Sequence, residues 1–423
     1  MTAPVLSVAG VPVDFILLAS TLAGVAVWHR HTLRVAVIGL LSITGYELFV
    51  GDFRGVTGVD GLLSLLGDEW VTVANLFGLL LGFAVLARHF EQSRLPAILP
   101  RYLPSDWKGG FVMLLLVFLL SSFLDNIAAA MIGGTMARVL FKGRLHVGYL
   151  AAIVAASNAG GAGSVLGDTT TTMMWIHGVA PLQVLDAYVG AVPALLFFGI
   201  FAARQQQAWQ PITCDTPAGV VIDGSRLAIV GVMLLAALGA NVYFNINHPD
   251  VLHQAPVMGI AVWVAIGATN WLRRPDWQVL PGAVRSSVFL LALVLCASMM
   301  PVQHLPSASW PTTLGLGFVS AVFDNIPLTA LALHQGGYDW GFLAYAVGFG
   351  GSMVWFGSSA GVALASMFPE ARSTGAWMLG GWHVVVGYLI GFACLLFTLG
   401  WHPDSAHRTA PVGWSAPYPE NKP

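Results

Sequence analysis

Residues 121–127 read Ser-Ser-Phe-Leu-Asp-Asn-Ile, and residues 320–326 read Ser-Ala-Val-Phe-Asp-Asn-Ile. Each sets an Asp-Asn pair, Asp125-Asn126 or Asp324-Asn325, in the middle of a long apolar stretch, 110–140 or 311–334. A carboxylate and an amide deep in hydrocarbon are costly unless paired or ion-bound, so such residues point to function by default. The arms on either side of each pair are too short to cross a bilayer. About 14 residues of helix span roughly 21 Å, against a hydrocarbon core of about 30 Å. Lys108 precedes the first stretch, while Arg138, Lys142 and Arg144 follow it, and basic residues favour the cytoplasmic side. The first stretch therefore reads as a re-entrant hairpin from the cytoplasmic face with Asp125-Asn126 at its tip. The second reads as a hairpin from the opposite face.

The rest of the chain agrees with a bilayer as solvent. Of 423 residues, 57% are hydrophobic and 9% charged, where a soluble domain carries about 25% charge. A water-soluble fold is excluded. A net charge of −2 supplies no basic field for nucleic acid. Three cysteines, Cys214, Cys296 and Cys394, lie far apart and outside any metal-ligand or disulfide pattern. No Lys or Arg precedes the first apolar run, which reads as a retained helix rather than a cleaved signal.

Apolar runs predict an all-α polytopic membrane protein. Helices fall near 12–28, 33–50 and 72–87, followed by the hairpin 110–140, a broken helix 146–177 and a helix 183–203. The plan then repeats, with helices near 227–244, 256–272 and 286–302, the hairpin 311–334, a broken helix 340–368 and a last span 376–400. The repeats are 1–204 and 226–401, joined by a cytoplasmic linker 205–225, with a polar tail 402–423 expected to be disordered. About ten crossings and two hairpins leave both termini outside. Fifteen of the 18 Lys and Arg residues then lie inside, and Arg54, Arg408 and Lys422 outside, with the acidic loop 51–69 also outside.

The broken helices carry a second echo. Gly160-Gly161 with Gly167 recurs 190 residues later as Gly350-Gly351 with Gly357. With hairpins entering from opposite faces the repeats are inverted, an arrangement typical of secondary transporters, which bind substrate at midplane breaks. Glycines let the backbone leave helical geometry and expose carbonyls. The oxygen donors gathered at the breaks are Asp125, Asn126, Ser157, Asn158, Asp168, Thr169, Thr170, Asp324, Asn325, Ser352, Ser358 and Ser359. These hard ligands suit Na⁺, with Asp125, Asn126, Asp168, Asp324 and Asn325 as the leading set. A buried carboxylate can also trade a cation for a proton. Ser358 stands where the first repeat has Asp168, so the halves are not chemically equal. Capping of their own helices is the structural alternative for the three aspartates, and back-bonding for the threonines. His177, His304, His334 and His383 read as interfacial.

At these motifs the chain resembles a known group. Leu124-Asp125-Asn126, Ser157-Asn158-Ala159-Gly160-Gly161-Ala162 and Gly167-Asp168-Thr169-Thr170-Thr171-Thr172-Met173 are similar to those of NhaD-type sodium/proton antiporters. So are Phe323-Asp324-Asn325-Ile326-Pro327-Leu328, Gly350-Gly351-Ser352 and Gly357-Ser358-Ser359-Ala360-Gly361-Val362. These antiporters belong to the ion transporter superfamily, beside citrate and dicarboxylate symporters and arsenite permeases. The resemblance implies inverted repeats, an elevator-like movement, often a dimer, and exchange of Na⁺ for H⁺ across the cell membrane. It implies no cofactor, since Na⁺ and H⁺ are the transported or coupling ions. Two positions depart from the group: Ile127-Ala128-Ala129-Ala130 stands where threonines are usual, and Ala87-Arg88-His89-Phe90-Glu91 closes the third helix. The competing reading is a Na⁺- or H⁺-coupled symporter of organic anions, or an arsenite-type permease, with Arg88 as an anion-site candidate. An enzyme would need a nucleophile–base pair or a metal cluster, and no such spacing occurs.

Overall fold

In hydrocarbon every backbone N–H and C=O must be satisfied within its own segment, which leaves helix as the form for these apolar runs. The computed structural model describes residues 6–8, 10–28, 31–53, 55–98, 102–212 and 221–403. The tail 404–423, residues 213–220 of the linker (Cys214 among them) and Arg30, Arg54 and Arg101 of the charge count lie outside the described residues. A two-stranded ribbon (β1, Ser7–Val8; β2, Val11–Pro12) leads into α1 (Val13–Val27), α2 (Thr32–Phe49) and α3 (Gly58–Gln92). A short α4 (Leu95–Ile98) comes before α5 (Trp107–Ser121) and α6 (Asn126–Leu140), which meet at the first tip. Next come α7 (Val147–Ala162) and α8 (Thr169–Ile176), then α9 (Pro181–Leu185) and α10 (Ala187–Trp209).

The second half runs through α11 (Gly224–Asn247), α12 (Pro249–Gln254), α13 (Val257–Thr269) and α14 (Leu280–Ser298). The second tip separates α15 (Trp310–Ser320) from α16 (Asn325–Gln335), and the second break separates α17 (Trp340–Gly350) from α18 (Ser359–Met367). The chain closes with α19 (Thr374–Gly380) and α20 (Trp382–Thr398), bent by 57°. Among the described residues five helices are long and apolar enough to cross a bilayer alone, and the bent pair makes a sixth. The protein is an all-α, multi-pass membrane protein; the small ribbon at its start is the exception to an all-helical reading.

Helix α3 departs most from the sequence expectation. The run read as 72–87, with an acidic loop over 51–69, is a 35-residue helix that starts at Gly58. Gly58 takes φ +70°, a left-handed turn that glycine adopts without strain, and Asp60 in the first turn complements the helix dipole. Glu69 does not face water: it is buried, on the inner side of the helix. The acidic residues therefore mark a helix start and a buried face rather than a loop. Helix α10 likewise runs on to Trp209, into the stretch read as linker.

Helices α7 and α17 form the centre, with every residue of α17 and all of α7 from Gly148 onward buried. A helix apolar on all sides belongs in a core. The two pack on each other, α5 lies on α7, α15 lies on α17, and α10 pairs with α20. Around this core α3 packs against α8, α13 and α14, and α14 packs against α16.

Candidate functional site

The four breaks produce four helix N-termini, each capped by its own side chain. Asp125 accepts the Ile127 amide at the start of α6 (3.2 Å), and Asp168 accepts the Thr170 amide at the start of α8 (3.3 Å). Asp324 accepts the Ile326 amide at the start of α16 (3.1 Å), and Ser358 accepts the Gly361 amide at the start of α18 (3.3 Å). In Asp168 and Asp324 the cap uses one carboxylate oxygen against an amide, and the second oxygen is directed elsewhere. Asp168 Oδ2 accepts the Asn325 amide at 3.4 Å, across the halves, and Asp324 Oδ2 accepts the Ser359 hydroxyl at 3.3 Å. Capping and site chemistry thus coexist in the same residues.

A chain of amides and hydroxyls joins the remaining ends. Asn126 Nδ2 donates to Asn158 Oδ1 (3.1 Å), and Asn158 Nδ2 donates to Ser352 Oγ (3.0 Å) and Ser358 Oγ (3.1 Å). Asn158 is fully buried on α7, and it ties the first hairpin to the second broken helix. Buried polar networks of this kind fix one arrangement when every member is satisfied. A small cavity opens beside them, lined by Asp125, Asp168, Thr169 and Thr172 and closed by Leu76, Leu79, Leu80 and Phe83 of α3 with Leu166. The cavity thus sets two aspartates and two threonines against the apolar side chains of α3.

The threonine run divides its work. Thr171 and Thr172 donate back to Ser164 O (2.6 Å) and Val165 O (2.8 Å), and both also reach Asp168 O, clamping the break shut. Thr170 Oγ1 is buried with no hydrogen-bond partner among the described residues. Ser157, fully buried on α7, donates its hydroxyl to Val154 O within its own helix (2.9 Å).

The glycines do different work from that expected. Gly160 and Gly161 stay helical in α7, Gly350 is the last residue of α17, and the breaks fall at 163–168 and 351–358. What they permit is close backbone approach. A Cβ on Gly160 would meet the Phe118 carbonyl, and one on Gly350 would meet the Gly317 carbonyl. A Cβ on Gly161 would lie 2.7 Å from Gly167 O, and one on Gly351 would lie 2.9 Å from Gly357 O. The echo in the sequence is therefore repeated in contact geometry.

Two tyrosines missed by the sequence reading belong to this frame. Tyr188 of α10 donates its hydroxyl to Ser122 Oγ (2.7 Å) and Gly160 O (3.0 Å), so it pins the first tip to the first broken helix. Tyr388 of α20 donates to Leu314 O on α15 (2.9 Å). The available signal was their spacing, 200 residues apart, close to that of the hairpins. Arg88 lies away from the site. Its Nε meets Asp276 at 2.8 Å and its Nη1 meets Glu91 at 2.9 Å, so it is no anion ligand here. That guanidinium holds the Asp276 carboxyl below the usual carboxylate range.

The chain matches no protein-family model. It is 28% identical to Sodium/proton antiporter 1 of Arabidopsis thaliana over 297 residues, 62% of this chain and 50% of that protein. To the Na(+)/H(+) antiporter NhaD of Vibrio parahaemolyticus it is 25% identical over 315 residues, 61% of this chain and 72% of the other. An uncharacterized transporter of Mycobacterium tuberculosis is 24% identical over 388 residues, 81% of this chain and 84% of its own. The chain spans about half the length of the plant relative. In these matches, as in its capped tips and breaks, the chain is similar to the NhaD-type sodium/proton antiporters.

Proposed function

We propose that this protein exchanges Na⁺ for H⁺ across the cell membrane by alternating access. The observation that carries the reading is the meeting of Asp125, Asp168 and Asp324 at helix ends, with Asp125 and Asp168 on one cavity and Asp168 joined to Asn325 across the halves. In this reading Asp125, Asn126, Asp168, Asp324 and Asn325 handle Na⁺, aided by the buried Thr170 hydroxyl beside Asp168, while Asn158, Ser352, Ser358 and Ser359 position the ends. Four positive helix ends face three carboxylates, so an anion would meet its own charge, and the pairing of Arg88 with Asp276 removes the added anion ligand.

The two halves act as inverted repeats with ten crossings and two hairpins. The Arg88 end of α3 faces the cytoplasm, the Glu69 end faces outward, and both termini lie outside, by the distribution of basic residues. The resemblance adds pairing with a second copy.

Proteoliposome flux tests the exchange. If Na⁺ and H⁺ share the carboxylates, raising pH lowers the apparent Na⁺ KM, and citrate has no effect. Mutual strengthening of Na⁺ and citrate binding would overturn antiport, because linkage is reciprocal.

A further inference from the structure

Helices α8 and α16 both start at a site aspartate, and both end at a histidine. His177 closes α8, and His334 is the penultimate residue of α16. The two rings meet edge to face with centroids 6.2 Å apart. Glu69 of α3 completes the group: its Oε1 is 3.8 Å from His334 Nε2, and the two side chains are only 7% and 12% exposed. His177 Nδ1 lies 2.9 Å from the Met173 carbonyl, an acceptor, so this nitrogen carries its proton. Nine residues separate His177 from Asp168 and ten separate His334 from Asp324, about 14–15 Å at the helical rise. The histidines are too far to share an ion with those carboxylates, yet they ride on the same short rods.

We propose that Glu69, His334 and His177 form a second proton-binding site, which couples protonation at the outward end to the contact between α3 and the half-helices bearing the site aspartates. The proposal rests on the orientation and exchange reading given above. With a proton on His334 the pair is a buried ion pair that draws α16 onto α3. Without it that charge–charge attraction is lost and the contact loosens. Histidine titrates in the range where outside pH varies.

Other charges nearby are few. On α3 itself Asp68 is exposed and Arg88 lies at the opposite end. Helix α14 carries Arg285 in its first turns, α15 carries no charge, and α8 contributes only His177. The turn Val302–His304, packed on α16, brings His304. The carboxylate of Asp339, at the start of α17, is taken up by the Phe342 and His402 amides.

The test uses the full chain and the variants Glu69→Gln, His334→Gln and His177→Gln. Na⁺ affinity at alkaline pH, read from Na⁺-dependent thermal stabilisation, stays within about twofold of the parent. Na⁺ flux in proteoliposomes, followed as outside pH is varied, shifts its midpoint by about one pH unit in Glu69→Gln and loses that outside-pH step in His334→Gln, while the inside-pH profile is unmoved. An unmoved outside-pH profile in transporting variants overturns the coupling. A ring titration of histidine-labelled protein in nanodiscs is independent of transport: the His334 midpoint differs by about one unit between parent and Glu69→Gln. An identical midpoint overturns the site itself. A parent that moves no Na⁺ but gives the displaced midpoint sinks the exchange reading and leaves the proton site standing.

Discussion

Asn325 of the second hairpin donates its amide to Asp168 of the first half, with Nδ2 3.4 Å from Oδ2 and both residues at most 3% exposed. The bond crosses the boundary between repeats, so neither half holds a finished site alone.

Because Asn caps a helix about as well as Asp, charge can be removed from each aspartate while its cap is kept. Asp125→Asn, Asp168→Asn and Asp324→Asn should insert and purify, with melting temperatures in Na⁺-free buffer close to the parent. Their Na⁺-dependent stabilisation should vanish, and Na⁺ flux should fall at least about tenfold, the scale of one lost charged contact. Three variants that transport normally would leave the aspartates as caps.

Glycine contacts give a contrast within one fold. Gly160→Ala and Gly350→Ala push a methyl into the facing backbone carbonyl and should lower stability by about 1–3 kcal/mol. Gly231→Ala and Gly239→Ala, in α11 with open space around them, should be neutral or gain up to about 1 kcal/mol. Thermal melts in one detergent compare all four.

Tyr188→Phe removes a hydroxyl but leaves Ser122 Oγ its own bond to Gly160 O at 3.2 Å. The cost to stability should therefore be modest, about 1 kcal/mol. The loosened tip should raise the Na⁺ KM more than it lowers maximal flux. An unchanged KM would assign Tyr188 to packing alone.

The Arg88–Asp276 tie predicts an absence of pH dependence. Asp276 titrates below the usual carboxylate range because Arg88 hydrogen-bonds it. Its contribution is therefore complete above that range and is lost only as pH falls through the lowered value. Asp276→Asn should leave the flux profile unshifted from about pH 6 to 9, since the native pair does not titrate there. Arg88→Gln should confer no citrate dependence.

Tips and breaks were legible because Asp-Asn pairs and glycines interrupt otherwise unbroken hydrocarbon. Asp168 as a cap could be read from the hydroxyl run behind it, and Ser358 from its register with Asp168. The partners of Asn158 could not be read, since Ser352 and Ser358 reach it from 194 and 200 residues away. Glu69 was misplaced for a related reason. Hydropathy scores a buried acid and a solvated one alike, and the contact of this one with His334 comes from 265 residues away.

The fourth cap, Ser358, has a thermodynamic consequence. An inverted-repeat carrier reaches its two faces when the halves exchange conformations. On the proposed inverted-repeat reading, Asn325 holds the Asp168 carboxylate while its counterpart Asn126 holds the amide oxygen of Asn158, so the exchanged forms are not degenerate. For the proposed exchanger this means that the empty carrier rests preferentially on one side, because Ser358 brings no charge where Asp168 brings one.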